Sequence, residues 1–307
     1  MAISLTSSIR FAVFSYNRGQ FLENCILSIL LNAPDAKVDI FDDGSSDPAV
    51  HRVLRQYEKL VRVIPRQSEE PGYHGGLYSN MQRAINASEE DEYLVFIQDD
   101  QQVIRPLLDE DVAHWRQFFL RNESAFQLSA AFLKRGSKLD VSTVTYDRDT
   151  NSHYMESTAS RRSFYSDVGV FNASRMKEYG WVFGKTEGDN EAKARSLNAK
   201  AGISPYPFMM YLPYANSTKF KKRGLLLRFA EWYYAYGYYP FQAWGCDEAN
   251  AFFERDPKVL PYAEDLLTLA KRVDDTVWMY EDATKSIKWI HKYYKRKKKA
   301  LAALSNH

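Results

Sequence analysis

The feature that most constrains this chain is an order repeated through its first ~100 residues: an apolar run, an abrupt polar stop, then a segment of helical periodicity. Residues 9–15, IRFAVFS, stop at Tyr16-Asn17-Arg18-Gly19, after which Phe21, Leu22, Cys25, Ile26, Ile29 and Leu30 recur at helical spacing. Residues 38–41, VDIF, stop at DDGSSD, and Val50, Val53, Leu54 and Tyr57 follow with the same periodicity. Residues 61–64 form a third short run, the glycine-bearing stretch PGYHGG leads into a third helical segment, and residues 93–97, YLVFI, stop at two adjacent acids. Strand and helix alternating in this way predict an α/β fold with a mixed, mostly parallel sheet flanked by helices. Ligands of such sheets bind beyond the carboxyl ends of the strands. Tyr16-Asn17, Asp42-Asp43 and Asp99-Asp100 all follow predicted strands, so they are expected to converge on one rim.

The rest of the chain is less regular. Residues 126–132 and 166–171 read as strands and 173–179 as a short helix. Residues 189–201 read as a helix with Gly202 as its stop signal, and residues 134–163 as polar loop. The character changes after residue 225, where aromatic residues crowd together before a largely helical tail. Two regions are therefore predicted: 1–224, carrying the sheet, and 225–307, an aromatic-rich, mainly helical extension.

Composition narrows the function classes. Of 307 residues, 41 are Lys or Arg and 39 Asp or Glu; a net charge of +2 gives no argument for nucleic acid. The two cysteines, Cys25 and Cys246, are far apart and read as free thiols in a reducing compartment. The histidines form no HxxxH or HExxH pair, so a zinc site has no support. The N-terminus lacks a charged head followed by an apolar core, and no stretch has the ~18 apolar residues of a membrane span. A cytoplasmic protein is expected, soluble or peripheral on the inner face of a membrane.

Two motifs carry chemistry. In DIFDDGSSD, helix capping accounts for Ser45, Ser46 and Asp47 but does not require two acids at a strand end; a carboxylate there suits a ribose or a nucleobase edge. In FIQDDQQ, Asp99 and Asp100 repel each other. A divalent cation, magnesium or manganese, relieves that repulsion through hard oxygen ligands and bridges the phosphates of an activated donor. Strand alternation predicts that the two acids point to opposite sides.

The ordered set FSYNRGQFLENCILSIL, VDIFDDGSSD, PGYHGGLYSNMQRAI and YLVFIQDDQQ resembles the nucleotide-sugar-binding half of family 2 glycosyltransferases, with the GT-A fold, over roughly residues 8–215. The resemblance implies a donor site at Tyr16, Asn17, Arg18, Asp42, Asp43, Gly75, Gly76, Asn80, Gln98 and Asp99. It maps the family's DxD motif onto Gln98-Asp99-Asp100, with Asp100 as metal ligand and Gln98 where the family places an acid. The arginine of the ARN-like step is missing at Tyr78-Ser79-Asn80, with Arg83 as a substitute, and Asn216 stands in for a late metal-binding histidine. In KTEGDNEAKARSLNAKAG, Asp189 stands six residues before Arg195, the spacing of the family's catalytic base, with Glu187 and Glu191 as alternatives. N-capping by Asp189 predicts the same letters.

The expected function is transfer of a sugar from a nucleoside diphosphate sugar to a hydroxyl of a glycan or lipid-linked acceptor. Transfer is expected to be inverting and metal-assisted, in cell-surface polysaccharide synthesis. The alternatives are a catalytically inactive nucleotide-sugar-binding protein and a sugar-phosphate nucleotidylyltransferase. The basic tail KSIKWIHKYYKRKKKALAAL pairs an apolar face with lysines and suits an anionic membrane surface. The aromatic segment reads as core packing, a sugar-stacking wall or a membrane-interface anchor.

Overall fold

The structure, a computed structural model, describes residues 8–66, 76–90, 92–135, 144–155, 165–216 and 224–271, together with 278, 280 and 292. Gly75 and almost all of the basic tail lie outside them.

The predicted alternation is present. Strand β1 (Ile9–Ser15) leads to α1 (Gly19–Asn32), β2 (Lys37–Asp42) to α2 (Pro48–Tyr57), β3 (Arg62–Ile64) to α3 (Leu77–Ala87), and β4 (Tyr93–Gln98) ends at the acid pair. These four strands are parallel neighbours in the order β3-β2-β1-β4. The chain winds outward from β1 through β2 and β3, then returns to the other side of β1 with β4. That reversal creates a crevice at the carboxyl ends of β1 and β4.

Beyond β4 the chain forms β5 (Gln101–Val103), α4 (Asp109–Arg121), β6 (Gln127–Ser129), β7 (Val144–Asp147), β8 (Ser152–Met155), β9 (Gly169–Asn172), α5 (Ala173–Glu178), α6 (Glu187–Ser196), β10 (Ala201–Ile203) and β11 (Met209–Tyr211). The main sheet continues β4-β9-β6-β10-β8-β7, with β9 antiparallel to both of its neighbours. Strands β5 and β11 pair separately, setting Tyr211 against Gln101. Helices α7 (Leu225–Tyr233), α8 (Cys246–Phe253) and α9 (Ala263–Leu266) complete the described part.

Alternation along the strands fills both faces of the sheet. Phe11, Val13, Ile40, Val95 and Ile97 belong to a core with residues of α1, α2 and α4. Ala12, Phe14, Phe41, Leu94 and Phe96 belong to a second core with residues of α3, α5 and α6. A third cluster joins Ile104, Phe132 and Met210 to Phe241, Phe252 and Leu267. For Phe241, Tyr238, Tyr239 and Trp244, the aromatic segment is therefore packing, as the least specific of its three readings expected. Helix α7 differs: Phe229, Trp232 and Tyr233 stay exposed, Trp232 at 76%.

Three expectations are revised. Helix α6 ends at Ser196, and Asn198 takes the left-handed turn with φ 50°. Gly202 lies inside β10, where a Cβ would collide with the Phe118 ring, so its glycine answers to packing and not to helix termination. Within 134–163, read as loop, β7 and β8 form a hairpin. Residues 136–143 and 156–164 lie outside the described residues.

Candidate active site

The rim is assembled by register. Phe14 pairs with Gln98 and Ser15 with Asp42, so the loops after β1, β2 and β4 leave the sheet at one level. Cross-links then tie them together. Asp99 Oδ2 accepts from the Tyr16 amide at 3.0 Å, and Asn17 N donates to Ser45 Oγ at 2.8 Å. Asn17 has φ 53°, a left-handed conformation that asparagine tolerates. Its Oδ1 accepts from the amides of Ser46 (2.7 Å) and Asp47 (3.0 Å).

Arg18 lies between the two acids. Its Nη1 is 2.5 Å from Asp100 Oδ2 and 3.4 Å from Asp99 Oδ1, while Nη2 donates to the Asn216 carbonyl at 2.8 Å. The expectation that the acids diverge is thus corrected. Strand β4 ends at Gln98, so Asp99 and Asp100 occupy a turn, where alternation no longer applies, and both meet one guanidinium. Burial pushes the Asp99 carboxyl upward against the pull of Arg18, and the neighbouring Asp100 charge adds to the rise. The β5–β11 pair brings the 209–216 segment alongside, with Leu212 N donating to the Asp100 carbonyl at 2.8 Å.

A hard cation needs oxygen ligands. Asp100 Oδ1 and Asn216 Oδ1 are both buried and have no hydrogen-bond partner among the described residues, so one oxygen of the acid pair and one of its neighbour suit such an ion. Among the described residues, no three His, Cys, Asp or Glu side chains converge as a metal-binding group. Arg18 already supplies positive charge there. A divalent ion at this place would draw most of its ligands from water and phosphate, as magnesium commonly does.

The remaining donor-site candidates fall around the same rim. Asp42 is spent on its own turn, accepting from Gly44 N, Ser45 N and Ser45 Oγ at 3.1, 2.8 and 2.5 Å. Asp43 reaches across to α3, where Gly76 N donates to its Oδ2 at 2.8 Å; a side chain at position 76 would collide with this carboxylate. Asn80 Oδ1 accepts from Arg83 at 3.1 Å, and Arg83 lies 5.8 Å from the centre of the Phe41 ring. Arg83 thus stands beside Phe41 of β2. The Gln98 backbone N–H donates to Gln101 Oε1 at 2.9 Å.

Helix α6 begins at Glu187 and its N-cap is Thr186, not Asp189, which sits in the first turn and forms a reciprocal cap with Thr186. The Asp189 amide donates to Thr186 Oγ1 at 3.1 Å, and its Oδ2 accepts from Thr186 N at 2.9 Å. The carboxylate remains exposed. Glu187 is exposed in the same first turn, whereas Glu191 is buried beside Arg195 at 3.8 Å.

Sequence reasoning missed Asp167. In the β4–β9 pairing Phe96 faces Gly169, and the same register carried two residues further sets Asp167 at the level of Gln98. Its Oδ2 accepts from the Tyr78 hydroxyl at 2.9 Å. Burial raises the carboxyl to about 6, against the pull of Tyr78 and with the repulsion of Glu187. The signal was the acid in SDVGVF, but its meaning depended on β9 running antiparallel.

Residues 11–117 match the model of Glycosyl transferase family 2. No curated protein matches the chain. Among solved structures, residues 1–349 of TarS from S. aureus share 14% identity, covering 66% of this chain and 60% of that one, with a TM-score of 0.47. The mannosyltransferase PcManGT from Pyrobaculum calidifontis, in complex with GDP-Man and Mn2+, shares 15% identity over 65% of this chain and 57% of its own (TM-score 0.41). Glucosyl-3-phosphoglycerate synthase from Mycobacterium tuberculosis, with Mn2+ and UDP-glucose, shares 20% over 44% and 48% (TM-score 0.30). The chain thus spans less than two thirds of the length of each.

Proposed function

We propose, on the match of residues 11–117 to Glycosyl transferase family 2, that this chain is a family 2-like glycosyltransferase that moves a sugar from a nucleoside diphosphate sugar to an acceptor hydroxyl with inversion. The observation that carries this reading is the Asp99–Asp100 pair gathered on Arg18 at the carboxyl ends of β1 and β4, the crevice where a ligand of such a sheet binds.

In this reading the base lies opposite the leaving group. Asp189 takes the proton of the acceptor hydroxyl as its oxygen attacks the anomeric carbon. The bond from that carbon to the diphosphate breaks, and the electron pair leaves with the diphosphate. Arg18 would turn to the departing charge once a cation takes over the acids it pairs with. A divalent ion held by Asp100 and Asn216 would supply further neutralisation there. The Asn17–Ser46 link and the Asp43–Gly76 link shape the walls for the base and ribose.

The division at residues 224/225, a glycan or lipid-linked acceptor and a place in cell-surface polysaccharide synthesis belong to the same proposal. So does peripheral attachment to an anionic membrane. No helix among the described residues is long and apolar enough to cross a membrane. The exposed side of α7, with Leu225, Phe229, Trp232 and Tyr233, is the described surface that suits a lipid interface.

The test is a panel of UDP- and GDP-sugars incubated with glycan acceptors. Release of nucleoside diphosphate that depends on the acceptor supports transfer. Release of pyrophosphate from nucleoside triphosphate and a sugar phosphate would support the nucleotidylyltransferase alternative. Tight donor binding without turnover would support a binding protein, a reading favoured by the engagement of Asp189 in a helix cap.

A further inference from the structure

Among the described residues, three buried polar groups at Asp167 make no well-formed hydrogen bond: Asp167 Oδ1, the Tyr165 hydroxyl and Asn190 Nδ2. Leaving such groups unsatisfied is costly, and native proteins keep them few, so a cluster of them calls for a ligand or a function. They are gathered by one residue. The Tyr78 hydroxyl donates to the other oxygen of Asp167 at 2.9 Å and lies beside the Asn190 amide. Asn190 is fixed in orientation, because its Oδ1 accepts from Gly184 N at 2.6 Å, and its Nδ2 lies by the Tyr78 hydroxyl without a well-formed hydrogen bond among the described residues. Tyr165 is 6% exposed and flanks the same carboxyl.

The chemistry of the set identifies what it would bind. A carboxylate oxygen accepts, an amide nitrogen donates and a phenol does both. Adjacent hydroxyls of a sugar, each donor and acceptor at once, match that combination. An anion does not. Glu187 raises the local negative potential, and the Tyr211 phenol lies within electrostatic reach of Asp100, Asp167 and Glu187 together.

We propose that Asp167, Tyr165 and Asn190 seat the hydroxyl groups of the transferred sugar, and that this slot, not the nucleotide end, selects the donor sugar. The inference rests on the glycosyltransferase reading and names the residues that read the sugar.

The test compares a nucleoside diphosphate with its sugar conjugate on the full chain. Calorimetric titration of UDP, GDP, UDP-glucose, UDP-N-acetylglucosamine and GDP-mannose first finds the sugar nucleotide that the wild type binds best. Tyr165→Phe and Asp167→Asn are then titrated with that pair. Tyr165→Phe removes only the weak contact of its hydroxyl with the Asp167 carboxyl, and Asp167→Asn keeps an oxygen that can accept from the Tyr78 hydroxyl, so both variants are expected to fold and to melt close to wild type or above it. Affinity for the sugar nucleotide is expected to fall about tenfold, and affinity for the bare diphosphate to stay within about twofold. Equal binding of both ligands by wild type and variants would overturn the slot while leaving the nucleotide site intact. So would stabilisation by Mn2+ alone that Asp167→Asn abolishes, since that would mark a cation site. If the wild type binds neither nucleotides nor their sugars, the glycosyltransferase reading fails, and the slot fails with it.

Discussion

Arg18 Nη1 lies 2.5 Å from Asp100 Oδ2, and the same atom lies 3.4 Å from Asp99 Oδ1. One guanidinium therefore offsets the repulsion of two adjacent carboxylates at the end of β4. Removing it leaves two buried acids without their countercharge, a loss on the order of 3–5 kcal/mol for a broken buried ion pair. Arg18→Gln is expected to lower the melting temperature. Added Mn2+ is expected to restore part of the loss and to stabilise the variant more than it stabilises the wild type. Thermal denaturation with and without Mn2+ measures both effects; identical responses would mean that the acids do not share one cation.

Asp189→Asn separates catalysis from capping. An asparagine oxygen can still accept from Thr186 N, so the start of α6 and the melting temperature are expected to hold within about 1 kcal/mol. Loss of a general base is expected to lower turnover roughly 10²–10⁴-fold. Donor affinity should be unchanged. Turnover near wild type would remove Asp189 from the mechanism and move attention to Glu187.

Asp167 makes stability depend on pH. Its carboxyl is raised above the ordinary value of 3.8 to about 6, burial being the main cause. A raised carboxyl contributes most below its unfolded pKa, and the contribution is lost as pH rises through the folded value. Wild-type stability is therefore expected to fall between about pH 4 and pH 7 from this group. Asp167→Asn stays neutral and should gain about 1–3 kcal/mol over wild type at pH 8, a gain that disappears by pH 4. Denaturant melts at the two pH values check the sign.

Gly202 tests close packing. Its strand, β10, presses on α4, and a Cβ there would collide with the Phe118 ring. Gly202→Ala is expected to cost about 1–3 kcal/mol, the usual range for an overfilled core. A helix-stop role predicts a smaller effect, confined to α6. Amide exchange in β6 and β10 against α6 distinguishes them.

On α7, Phe229 and Trp232 are 47% and 76% exposed, a combination that a lipid interface would bury. The double variant Phe229→Ser/Trp232→Ser is expected to sediment less with anionic vesicles and to keep its melting temperature. Equal sedimentation would free this face from the membrane reading.

The first four strands and their helices were legible because β1–α1 through β4 are local signals: an apolar run that stops and a 3.6-residue periodicity that follows. Parallel strands also end alike, so the convergence of Asn17, Asp43 and Asp99 on one rim followed from residue order alone. Position by itself could not tell what each acid does there. Asp42 turned out to cap its own turn, and Asp100 to share Arg18, 82 positions away in sequence. Asp167 was illegible for a sharper reason. In a parallel unit the residues at the ligand rim come after the strand; β9 runs antiparallel, so the residue before it arrives there instead. Strand direction is decided by pairing with β4 and β6, through hydrogen bonds and packing between distant segments, and no local pattern in SDVGVF encodes it. The sequence alone determined the layered α/β order and the rim. Only the tertiary structure decided which carboxylates meet, because ion pairs, burial and unmet hydrogen bonds exist only once those segments lie side by side.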